Sequence, residues 1–136
     1  MLQEFADLND DKTRHFAALA VSSGLISSSS MIDLIRLFCN TYPDKNTRSL
    51  NAFSSFLIAR RTLTPWQAEK LHDGRSKGFF LDQFILLSHV RVDETRSVFL
   101  ALDTTTQRKV LLGILPPTKE AVRDGRVMYD VIGPFD

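Results

Sequence analysis

Cysteine is almost absent. Cys39 is the single thiol in 136 residues, so an internal disulfide and any cysteine-based zinc site are excluded. Charge of one sign is also lacking: seventeen Lys and Arg against sixteen Asp and Glu leave a net charge of +1. A chain so balanced has no global electrostatic footprint for nucleic acid or an anionic membrane. Long apolar runs are missing as well. Ala17 to Val21 is far too short to span a bilayer and the N-terminus is acidic, so neither a signal peptide nor a membrane segment is expected and a cytoplasmic, soluble protein is. Tryptophan occurs once and tyrosine twice, against ten phenylalanines, which directs the aromatic content to a core because Phe has no polar handle for a wet surface. His15, His72 and His89 fall on separate predicted elements without ligand-like spacing, so they read as ordinary histidines and not as a metal site or a catalytic base.

What is present is ordinary for a globular protein: 43% apolar and 24% charged residues, in a length that suits one domain or two small ones. Residues 1–75 read as four short helices. The first runs from about Asp10 to Ser23, with Phe16, Leu19 and Ala20 on one face, and stops at Gly24. The serine tract Ser27 to Ser30 reads as a loop whose last residue caps a second helix, Met31 to Tyr42, which Pro43 closes. Ser49 starts a third helix carrying Leu50, Phe53, Phe56 and Leu57 at helical spacing. Thr64, Pro65 and Gln67 form a capping box with proline at the first helical position, opening a fourth helix on which Trp66, Leu71 and the edge of His72 line up before Gly74 ends it. Short amphipathic helices on short loops make a four-helix bundle.

Residues 76–136 change character. Arg75 to Gly78 is a polar hinge, after which Phe84 to Val92, Ser97 to Asp103 and Lys109 to Leu115 read as strands. The turn Asp103 to Gln107 suits an antiparallel connection, and Pro116-Pro117 terminates the third run. Thr118 to Arg126 has room for a turn or two of helix, and a last apolar run, Val127 to Ile132, ends at Gly133-Pro134 and reads as a natural terminus. The expected class is α+β: an N-terminal four-helix bundle followed by a small antiparallel sheet.

The stretch Leu63 to Leu87, LTPWQAEKLHDGRSKGFFLDQFILL, joins the two halves. The order of helices, LTPWQAEKL, GR-x-x-GFFL and then strands resembles the N-terminal region of large bacterial serine/threonine kinases of the planctomycete type. In those proteins a helical domain with an LT-x-WQA-x-x-L motif precedes the glycine-rich loop. The resemblance implies that the sheet is part of a kinase N-lobe, and Val98-Phe99-Leu100-Ala101 matches that lobe's second strand. It also implies a degenerate site. The loop-glycine positions carry Arg91, Asp93 and Arg96, where side chains would obstruct or repel a triphosphate. Gly113 takes the place of the lysine that pairs with phosphates. Lys109 lies four residues too early: it shares a face with that position by strand alternation without reaching the same place. The catalytic loop and the metal-binding aspartate, which would lie in a C-lobe, have no counterpart in this sequence.

The expectation is therefore a non-catalytic module of a signalling pathway with no cofactor, no metal and no catalytic residues. Its partner is another protein, a kinase or signalling component by the resemblance, with a homodimer as the alternative that open strand edges allow. Trp66, Phe79, Phe80, Arg60 and Arg61 are the candidate residues for a partner-binding or interdomain surface. Two other readings are weighed: a fragment that keeps nucleotide and regulates a kinase, opposed by the loop substitutions and Gly113, and a DNA-binding helical module resting on Arg60, Arg61, Lys70, Arg75 and Lys77, opposed by the charge balance. Cys39 reads as a buried, inert thiol. Asp10-Asp11 reads as acidic residues at a helix start, held there by the helix dipole, and not as a catalytic pair.

Overall fold

Each helix in the first part of the chain starts on a side chain that accepts a backbone N–H. The computed structural model describes residues 5–93 and 95–135, Asp93 by its backbone alone. Asp10 opens α1 (Asp11–Ser22), accepting from Lys12 N at 3.2 Å. Ser27 opens α2 (Ser28–Thr41), Ser49 opens α3 (Leu50–Ala59) and Thr64 opens α4 (Pro65–His72). At α4 the cap is reciprocal: Gln67 N donates to Thr64 Oγ1 at 3.1 Å, and Thr64 N donates to Gln67 Oε1 at 3.0 Å. Each cap satisfies an amide with no partner inside its helix and stabilises by about 1 kcal/mol. Gly24 and Gly74, with φ of 85° and 89°, take the left-handed conformation just past α1 and α4.

Residues 27–30 differ from the sequence expectation. They are not a loop capped by Ser30; Ser27 is the cap and the next three serines form the first turn of α2. Any of these serines can cap, and the earlier start adds a turn of backbone bonds, beginning with Met31 N to Ser27 O at 2.9 Å. The buried face of α4 also differs. Gln67, Ala68 and Leu71 are buried, Trp66 is half-buried, and His72 is exposed apart from the side that packs on the Phe16 ring at 4.7 Å.

The chain divides into two compact units, Met1–Lys77 and Gly78–Asp136, the first helical and the second built on a sheet, so the class is α+β. In the first unit the fully buried Phe53 of α3 lies between Phe16 of α1, edge-on at 6.4 Å, and Phe38 of α2 at 5.0 Å. Phe38 extends the cluster to Tyr42 and Phe56. Arg48, after the 3₁₀ turn Lys45–Thr47, donates to the carbonyls of Tyr42 at 2.7 Å and Cys39 at 3.3 Å, tying the end of α2 to the loop.

The second unit holds β1 (Phe80–Leu81), β2 (Phe84–Asp93), β3 (Arg96–Asp103), β4 (Arg108–Ile114), α5 (Lys119–Asp124) and β5 (Tyr129–Pro134). Strand order in the sheet follows chain order, and every neighbouring pair is antiparallel. Register shifts fall between Leu86 and Ser88 and between His89 and Arg91 in the β2–β3 pairing, and between Leu111 and Leu112 in the β4–β5 pairing. Such bulges bend the strand and sharpen its twist. The last strand begins later than expected and continues through Gly133 and Pro134, because the shift at Leu111/Leu112 lets them pair with Leu111 and Val110. The sheet curls until Tyr129 Oη donates to Asp82 Oδ2 at 2.6 Å in the β1–β2 turn. Among the described residues, no helix is long and apolar enough to cross a membrane.

Phe53→Ala removes the ring that joins α1, α2 and α3. It is expected to cost about 3–5 kcal/mol, read as an early loss of helical circular dichroism in urea. A cost under about 1 kcal/mol, within the range of surface substitutions, would mean that the three helices do not depend on this contact.

Candidate functional site

Gly113 on β4 pairs with Val98 on β3 and with Asp130 on β5. Residues opposite one another across a sheet point to the same face, so a glycine here leaves a gap on that face between two strands. Arg96, two residues before Val98, fills it. A Cβ added to Gly113 would stand 2.9 Å from Arg96 Cδ and 3.3 Å from its Nε. Beyond Gly113 the guanidinium reaches Asp130 Oδ2 at 3.6 Å. The arginine thus lies across β4 and ties the β2–β3 hairpin to the last strand. A lysine at position 113 would need Arg96 to move away.

The β2–β3 pairing runs to the Asp93–Arg96 pair. Arg91 is exposed, opposite Val98. The side chain of Asp93, expected to repel a triphosphate, lies outside the described residues. Lys109 is exposed and pairs with Leu102, on the same face as Gly113 but displaced along the strand.

Two concavities are candidates for binding. In the second unit a groove of about 540 Å³ runs between β1 and the segment before β5, lined by Phe80, Leu81, Asp82 and residues 125–129. The Tyr129–Asp82 hydrogen bond lies in its wall and holds the phenol above its ordinary pKa. In the first unit a pocket of about 170 Å³ is lined by Lys12, His15, Phe16 and Leu19 of α1, Leu50 of α3, and Leu71, His72 and Gly74 at the end of α4. His72 Nε2 is 3.1 Å from the buried hydroxyl of Ser54.

The residues singled out from sequence are placed unequally. Arg60 and Arg61 are exposed in the turn after α3, Arg60 with its guanidinium 5.5 Å from the Phe56 ring centre and Arg61 at φ 60°. Trp66 is half-buried. Phe79 is 1% exposed and offers no surface to a partner, whereas Phe80 beside it is 46% exposed and lines the groove. The three histidines have separate settings: His89 packs on Phe99 at 4.9 Å, while His15 and His72 share the first-unit pocket. Asp10 is the cap of α1, and Asp11 pairs with Arg14. Among the described residues no group of three or more His, Cys, Asp or Glu could hold a metal ion.

Cys39 is half-buried and not enclosed, its thiol 3.8 Å from the Asp7 carbonyl. Desolvation pushes its pKa above the ordinary value, with nearby Arg48 pulling the other way. Sequence reasoning missed Asp130, because its place beside Gly113 depends on a β4–β5 register that the intervening helix conceals. No family model, curated protein or solved structure matches this chain significantly.

Two outcomes follow. Gly113→Ala is expected to push the flexible Arg96 side chain aside, at a cost of about 1 kcal/mol or less. Adding Arg96→Ala should remove that cost, a coupling of about 0.5–1 kcal/mol in a double-mutant cycle; strict additivity would mean that Arg96 does not occupy the gap. For Cys39, the raised pKa means little thiolate at neutral pH, so disulfide-exchange labelling should be slower than for a free thiol and accelerate only at alkaline pH. Labelling at the free-thiol rate at pH 7 would contradict the burial.

Proposed function

We propose that this chain is a non-catalytic protein–protein interaction module, related to the N-terminal region of bacterial serine/threonine kinases and working in regulation or scaffolding. In this reading the four helices of the first unit form the bundle, and the sheet is a degenerate kinase N-lobe.

One observation carries the proposal. Of the large apolar side chains left exposed among the described residues, all but Leu37 belong to the second unit, including Val92 at 69%, Val122 at 66%, Val131 at 54% and Phe135 at 49%. Exposed apolar residues scattered singly are ordinary; their concentration in the second unit is what supports a binding surface there. Val131 sits on β5, the last strand in the sheet order, whose outer side has no strand paired to it among the described residues and can present backbone groups to an incoming strand. The packing of Arg96 over Gly113 supports the non-catalytic reading, since the position of the phosphate-pairing lysine holds no lysine and its space is taken by the Arg96 side chain.

Two measurements test the reading. A photo-cross-linking residue at position 131 should trap a single protein reproducibly in extract of the native cell, and one at position 37 should not. A product of the chain with itself identifies the partner as a second copy. Equal or absent cross-linking at the two positions would sink the surface. Millimolar Mg-ATP should leave the thermal melt unchanged. A ligand at a hundred times its dissociation constant stabilises by about 2.7 kcal/mol, and a shift of the several degrees this implies would restore the nucleotide reading.

A further inference from the structure

The first-unit pocket combines an apolar floor with a basic rim. Phe16, Leu19, Leu50 and Leu71 supply the floor, and Lys12, His15 and His72 the polar atoms; no carboxylate lines it. Its volume of about 170 Å³ is close to that of an apolar cavity of roughly 150 Å³ known to hold one benzene ring. Two acids adjoin these residues along the chain: Asp11, paired with Arg14, and Asp73, the residue that ends α4. His72 is held in place by Ser54 at Nε2 and by the Phe16 ring, which leaves its other ring nitrogen as the one a ligand would meet. The ammonium of Lys12 supplies the charge of the rim, and the imidazoles of His15 and His72 add hydrogen-bonding nitrogens.

We infer that this pocket binds a small monocarboxylate with a ring-sized apolar body, the ring against the half-exposed Leu19 and Leu50 and the carboxylate toward Lys12. This assignment concerns the first unit alone and does not depend on the interaction surface proposed for the second. Charge and shape act together here: the apolar floor supplies affinity without selecting among rings, and the rim selects the acid.

The test uses the intact chain and three probes, read by amide chemical shifts. Benzoate carries both features, benzyl alcohol the ring without the charge, and acetate the charge without the ring. Benzoate is expected to shift the amides of His15, Leu19, Leu71 and Gly74 saturably, with a dissociation constant on the order of 1 mM, typical of so small a ligand. Benzyl alcohol, lacking the charged contact, and acetate, lacking the apolar one, should each bind at least about tenfold more weakly. Lys12 is exposed, so Lys12→Met should fold normally, weaken benzoate severalfold and leave benzyl alcohol unchanged. Absence of saturable shifts at these amides would overturn the inference. So would equal binding of benzoate and benzyl alcohol, or an unchanged benzoate affinity in Lys12→Met.

Discussion

The helical unit depends on the ring of Phe53. It is fully buried on α3 and meets Phe16 of α1 and Phe38 of α2. Edge-on and tilted aromatic contacts contribute beyond the area they bury, so one residue joins three short helices that could not persist alone in water. The caps act on top of this contact. Ser27, Ser49 and Thr64 set where each helix begins. Arg48 then binds the carbonyls at the end of α2, where a helix leaves acceptors unsatisfied. The pocket between α1 and α4 follows from the same packing, since Phe16 touches both Phe53 and His72.

The sheet unit answers to a different constraint. Its strands run in chain order and bend at bulges, so the last strand curls back to the first turn and is held by Tyr129 and Asp82. Arg96 adds a second tie across Gly113 to Asp130. Both ties are polar, and neither covers the valines left in water. Local stability and an uncovered apolar surface coexist in this unit, which is the physical basis for reading it as a binding module.

Local signals were legible in the chain. The capping box at Thr64, the Ser49 start, the glycine after α4 and three of the strands lie where side-chain chemistry and alternation place them. The serine tract was ambiguous because four equivalent caps stand in a row, and the winner was the one that adds backbone bonds. Phe79 and Phe80 were inseparable by composition, yet one is buried and the other exposed. His15 and His72 lie far apart in sequence, and only the packing of α1 against α4 brings them to one pocket.

By itself, then, the sequence determined the mixed class, the starts of α1, α3 and α4 and the runs of β2, β3 and β4, because these arise from bonds between residues a few positions apart. Only the tertiary structure decided that Arg96 fills the gap over Gly113, that Asp130 receives it, and which apolar residues stay in water. Those outcomes depend on strand register and on the bulge that shifts it, and register is a property of two segments at once. A pattern read along one segment carries no record of its partner's offset.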